Sequence, residues 1–310
     1  VATQRIVSHC SANRYFTVVG NATTAEDIEK GFQSNSIDLG IVFPERFNET
    51  LLHTGKADVQ VIADGTDPNT ATTATNYATS VITAASQELL AEQTGGGAVS
   101  PVIVPTVKLL YNPQTEGSYN FVPGVMGLIL ILICAMMTAI SIVREKERGT
   151  MEVLLVSPMK PIWIILAKTV PYFTLSCVNL ITILLLSVFV LHVPVAGSLF
   201  WLTALSMLFI FVALSLGMLI STLAKTQMAA MLISGMGLMM PVMLLSGMMF
   251  PVENMPGILR LLSNFVPAKW YIMAVRKIMI EGVSPLFALQ EFIVLGIMAV
   301  VLVTISLKLF

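Results

Sequence analysis

The sequence predicts a polytopic α-helical membrane protein: five spans in this chain (six in a full-length one), a re-entrant helical pair, and an N-terminal α/β domain. Three observations predict it. Of 310 residues, 55% are apolar and 11% charged, against roughly 25% charged in soluble domains. Residues 119–310 hold nearly all the long apolar runs, each close to the ~20 residues that a helical crossing needs or divisible into such lengths. Residues 1–118 hold 12 of the 18 acidic residues and most of the Thr and Asn.

Within 1–118, residues 15–20, 37–42 and 58–63 are short β-branched or alternating runs that read as strands. Residues 24–32 and 44–53 between them have helical character. Asp67-Pro68 opens a long helix, with an acid at the N-cap and proline in the first turn. Its apolar face is expected at Ala74, Tyr77, Ala78, Val81, Ile82, Ala85 and Leu89, at three-to-four spacing, and Gly95-Gly96-Gly97 ends it. Residues 102–110 form a last extended segment leading to the spans.

The first span, residues 121–143, contains no charge. It stops where charge would have to be desolvated, at the run Arg144, Glu145, Lys146, Glu147 and Arg148. Gly149 and Thr150 follow, suited to ending and restarting a helix. This elbow between two spans is a place to meet a soluble partner; the plainer alternative is an anchor that only sets topology. The charge-free stretch from Lys168 to Lys225 is too long for one crossing, and His192-Val193-Pro194 and Gly197 divide it into 169–191 and 198–223. Residues 226–249 and 286–309 complete the five. Between these last two, Pro251, Pro256, Pro267 and Pro285 punctuate two short amphipathic segments whose polar side carries Arg260, Lys269, Arg276 and Lys277. These read as helices that enter the interface without crossing.

Arg144, Lys146, Arg148, Lys160, Lys168, Lys225 and Lys308 place the elbow side in the cytoplasm, while four cations in 250–284 fall on the other side. The chain opens at Val1 without an apolar segment, so an earlier span is expected ahead of it, which leaves 1–118 extracytoplasmic. Cys10, Cys134 and Cys177 make no disulfide framework, and His9, His53 and His192 have no metal-ligand spacing. A net charge of −1 without a basic patch argues against nucleic acid. No G-x-x-x-x-G-K-[ST] loop is present, so the chain has no phosphate cradle of its own.

The run from Arg144 through Gly149-Thr150-Met151-Glu152-Val153-Leu154-Leu155-Val156-Ser157-Pro158 resembles the loop of ABC-2 type transporter permeases, the membrane subunits of bacterial ABC exporters. Ile37-Asp38-Leu39-Gly40-Ile41-Val42-Phe43-Pro44, Asp64-Gly65-Thr66-Asp67-Pro68-Asn69, Phe250-Pro251-Val252-Glu253-Asn254-Met255-Pro256 and Val266-Pro267-Ala268-Lys269-Trp270-Tyr271 are similar to the subgroup with a large extracytoplasmic domain. The resemblance covers essentially the whole chain. It implies a multi-pass protein of the bacterial cytoplasmic (inner) membrane, exporting an amphipathic or hydrophobic compound such as a drug, lipid or peptide. The implied partners are an ABC ATPase subunit, a second permease subunit in a homo- or heterodimer, and a periplasmic adaptor as a further candidate. No cofactor is expected in this chain; ATP and Mg would be bound by the ATPase.

The resemblance makes residues 144–150 the expected ATPase-coupling elbow. Two further sets rest on the residues themselves. Met239, Met240 and Met243 belong to a Met-rich span whose adaptable side chains suit a promiscuous path, or are ordinary packing and lipid contact. Ala230 and Ser234 on the same span suit close helix approach. Glu253, Lys269, Arg276 and Glu281 are candidates for an outer gate, or pair at the interface. The competing functional classes are a membrane-anchored sensor, for which five linked spans are excessive, and an intramembrane enzyme, for which no catalytic motif is present.

Overall fold

The strand Lys56–Asp64 (β2) is the middle strand of a three-stranded sheet, and its alternation sets the first core. Ala57, Val59, Val61 and Ala63 turn inward while Lys56 and Asp58 face out, the period of two that a half-buried strand imposes. The computed structural model describes residues 2–13, 15–22, 24–34, 36–93, 102–149, 161–252 and 255–309. It divides into two units, Val1–Gly117 and Ser118–Phe310.

In the first unit, β1 (Leu39–Val42) pairs antiparallel with β2, and β3 (Val102–Leu110) pairs parallel with it. Helices α1 (Ala2–Ala12), α2 (Ala25–Gln33), α3 (Phe47–Thr54) and α4 (Pro68–Gln93) complete it. Ile6 and Cys10 of α1, Phe47 and Leu51 of α3, and Ala78, Val81, Ile82 and Ala85 of α4 close over the β2 face. Burial pushes the Cys10 thiol up from its ordinary range. Asp67 caps α4, accepting from the Asn69 N–H at 3.1 Å and the Thr70 hydroxyl at 3.2 Å. Gly65 is required by close approach: its N–H donates to Leu110 O at 2.9 Å, and a Cβ there would stand 2.7 Å from that oxygen.

Two expectations need correcting here. Residues 15–20 form no strand; Tyr15, Val18 and Val19 are exposed and only Phe16 packs on the core. One inward ring does not demand a ladder, and Tyr15 instead stacks on Tyr77 with centroids 4.4 Å apart. Tyr77 accordingly lies off the buried stripe of α4, which runs through Ala71, Thr75, Ala78, Ile82 and Ala85. Ser86 on the same side accepts the Ile103 N–H. The Gly95–97 stretch and the Leu89 side chain lie outside the described residues.

The second unit contains α5 (Gly117–Glu147), α6 (Pro161–Phe189), α7 (Leu199–Leu223) and α8 (Gln227–Leu245). Two short helices follow, α9 (Gly257–Ser263) and α10 (Pro267–Val275), then a π-helical turn at Arg276–Ile280 and α11 (Leu289–Leu309). Among the described residues, five helical segments are long and apolar enough to cross a membrane: Gly117–Glu147, Thr169–Phe189, Leu199–Leu223, Gln227–Leu245 and Pro285–Ser306.

Helix α7 is the spine, packed against α6, α8, α10 and α11. Its buried Ser206, Ser215 and Ser221 hide their hydroxyl donors by bonding back to Leu202, Phe211 and Met218 carbonyls. Gly217 admits the α5 backbone, since a Cβ there would lie 2.5 Å from Ala135 O. Helix α10 departs from the amphipathic segment expected of it. Ala268, Lys269, Tyr271, Ile272, Ala274 and Val275 are all buried, because Tyr271 stacks on Phe209 of α7 at 4.1 Å and its hydroxyl lies 2.9 Å from Ser206 Oγ.

Candidate functional site

Helix α5 carries its regular hydrogen bonds past the apolar span into the charged elbow. It ends on a turn in which the Arg148 N–H donates to Arg144 O and the Gly149 N–H to Lys146 O. Gly149 has φ +71, and among the described residues nothing lies within 4 Å of a built Cβ, so the constraint visible there is the left-handed backbone. Three elbow side chains turn back onto the chain. Lys146 Nζ donates to Ser221 O at the end of α7, at 2.7 Å. Arg144 Nε donates to Gln227 Oε1 at 3.2 Å. Glu147 accepts twice from the same residue: its Oε1 takes the Gln227 backbone N–H at 2.9 Å and its Oε2 takes the side-chain amide.

The last arrangement places a carboxylate on the first N–H of α8, where backbone donors lack helical partners and the dipole favours negative charge. Thr226 caps the next turn, accepting the Ala229 N–H at 3.1 Å. Beneath the polar layer, Ala139 and Val143 of α5 meet Ile220, Ala224 and Ala230 in a buried cluster. Glu145 is half-buried and Arg148 exposed. Thr150 and the remainder of the motif to residue 160 lie outside the described residues. Gln227 and Ser221 were not legible as site residues: neither is charged, and each is recruited from more than 70 positions away.

Of the outer-gate candidates, Lys269, Arg276 and Glu281 lie among the described residues. Lys269 donates to Ser263 Oγ at 3.1 Å and Asn264 Oδ1 at 2.6 Å. Arg276 donates to Asn120 Oδ1 at the start of α5 and to Gly247 O beyond α8, the latter at 3.0 Å. Glu281 is half-buried and joins the π-helical turn through its own N–H, which donates to Arg276 O at 3.1 Å; Glu253 lies outside the described residues. Lys277, expected on a polar face, is instead buried against Glu291 at 2.8 Å and also donates to Phe287 O at 3.2 Å. Glu291 of α11 gave no local signal, because its partner sits 14 residues away across a turn.

Helix α8 buries only Ala230, Ser234 and Val242. Met239 is 43% and Met240 68% exposed, and Met243 is half-buried. On the single chain the three methionines therefore lie on or beside an open helix face, joined by Met228, Met231 and Met236.

Apolar helices of crossing length, joined at one end by a charged hydrogen-bonded elbow, define a polytopic membrane protein of the permease type. The chain belongs to the ABC-2 family of transporter proteins, which it matches over residues 2–308. It is 29% identical over 267 residues to the probable multidrug ABC transporter permease YbhS of Escherichia coli K12, covering 86% of this chain and 70% of that protein. It is 30% identical over 269 residues to the probable multidrug permease YbhR of the same strain, covering 87% and 72%. The inner membrane transport permease YhhJ of that strain is 26% identical over 292 residues, covering 92% and 75%. No solved structure gives a significant match.

Proposed function

We propose that this chain is the permease subunit of an ATP-driven exporter that moves an amphipathic or hydrophobic compound out of the cytoplasm or inner membrane. Permeases of the family work with an ABC ATPase, and the elbow is the element suited to receive one. The observation that carries the reading is its two-sidedness. Lys146 and Glu147 fasten it to α7 and α8, while Arg148 stays exposed at the tip. An element held on one side and open on the other can transmit a rigid shift when a partner pushes it.

The export of drug-like compounds follows the names of YbhS and YbhR, and placement in an inner membrane follows that of YhhJ. The exposed α8 methionines suit a path closed by a second permease copy. Residues 1–118 would then lie outside the cytoplasm, available to a periplasmic adaptor, with ATP and Mg held by the ATPase. Co-purification from membranes tests the core of this reading. Arg148→Glu is expected to lower the yield of bound ABC ATPase severalfold while the protein inserts normally, and Arg148→Lys to retain it. Equal ATPase yield from both variants would sink the elbow as the docking element.

A further inference from the structure

We propose that Gln227 is a positioning residue that carries displacement of the elbow into α8. This rests on the reading of the elbow as the ATPase dock. Arg144 and Glu147, three apart and so on one face of α5, grip Gln227 from both sides. Its Oε1 accepts from the guanidinium while its Nε2 and backbone N–H donate to the two carboxylate oxygens. Glutamine alone among neutral residues of this length offers both an acceptor and donors on one side chain. The three bonds use both.

What the joint moves is decided by packing. Helix α7 is held on several sides by α6, α10 and α11, and the Lys146–Ser221 bond merely ties the elbow to that fixed body. Helix α8 buries three residues along its length, leaving a small apolar interface to hold it in place. A short connection, Ala224 to Thr226, separates the two helices, so the start of α8 can pivot but cannot drift. A push on α5 therefore finds its softest outlet through Gln227. The methionine face of α8 turns with it, which places the path surface under direct control of the elbow.

The test places an environment-sensitive fluorophore on Met236→Cys, in a chain whose Cys10, Cys134 and Cys177 are replaced by alanine. The chain is reconstituted with its co-purified ATPase. Trapping the ATPase with ATP and vanadate is expected to shift the emission. Gln227→Ala removes both side-chain bonds to charged groups and should reduce the shift by about tenfold or more. Gln227→Glu should do the same, by setting two carboxylates face to face. Combining Glu147→Gln with Gln227→Glu exchanges donor and acceptor, restores all three bonds and should restore the shift. A joint of purely structural importance would not be rescued in this way. ATPase retention should be unchanged in the two Gln227 single variants, and the emission shift of the double variant is scored on the complex that forms. If the chain without Gln227 or Glu147 changes retains no ATPase, the dock and the joint both fall. If the ATPase is retained and the Gln227 variants shift normally, or the exchange fails to rescue them, the joint alone falls.

Discussion

The charged groups at the two ends of the permease unit are built on opposite terms. At the elbow, Arg144, Glu147 and Arg148 are exposed, and the first two hydrogen-bond to one uncharged residue. At the other end, the side chains of Lys277 and Glu291 are 9% and 2% exposed and are paired with each other. A charge that keeps its water exchanges partners at small cost, whereas one that has lost it is bound to the partner that replaced it. The difference suits the elbow end to motion and the Lys277 end to fixing the turn before α11.

The largest effect is therefore expected at the buried pair. Glu291→Ala leaves a buried ammonium with only Phe287 O as acceptor, and loss of one member of such a pair typically costs about 3–5 kcal/mol. Thermal unfolding of the detergent-solubilised protein should show it as a clear drop in midpoint. Replacing both members, Lys277→Met with Glu291→Leu, should recover most of the loss. A single variant as stable as the parent would show that the pair is hydrated, and the contrast between the ends would collapse.

Gly149→Val comes next and probes the other end. A β-branched residue at φ +71 meets a left-handed backbone that costs about 1–2 kcal/mol for L-residues. With no described residue within 4 Å of a built Cβ, that cost should be met by a local change of the turn. The unfolding midpoint should barely move, while ATPase co-purification falls. A large stability loss with normal co-purification would make this glycine a packing residue and the elbow no softer than the opposite end.

What was legible in the sequence follows the same division between local and distant causes. Span positions depend on runs of apolar residues, and α7 and α8 start and end within a few residues of the expected 198–223 and 226–249. The edge strand Val102–Leu110 was readable from its β-branched run. Residues 15–20 carried the same alternation and paired with nothing among the described residues, because alternation states a preference and a ladder needs a neighbour. The burial of α10 was hidden because the Tyr271–Phe209 stack joins residues far apart in sequence. The charged elbow announced itself, but its grip on Gln227 did not, since an uncharged residue 80 positions on carries no mark of its partner.

The smallest effect on folding, and the finest test of the contrast, belongs to Met239, Met240 and Met243. Replacing all three with leucine roughly conserves volume and should cost less than about 1.5 kcal/mol, less still at Met239 and Met240, which are exposed. What changes is adaptability: leucine is branched and fills one shape, while methionine re-packs around many. If this face borders the path, the triple variant should fold and bind the ATPase normally. Its ATPase stimulation should narrow across a panel of chemically different hydrophobic compounds. A face that merely meets lipid would leave the whole panel unmoved, since acyl chains accept leucine and methionine alike. In that event the mobile end of the molecule would still move, but the surface it turns would not be the one that meets the transported compound.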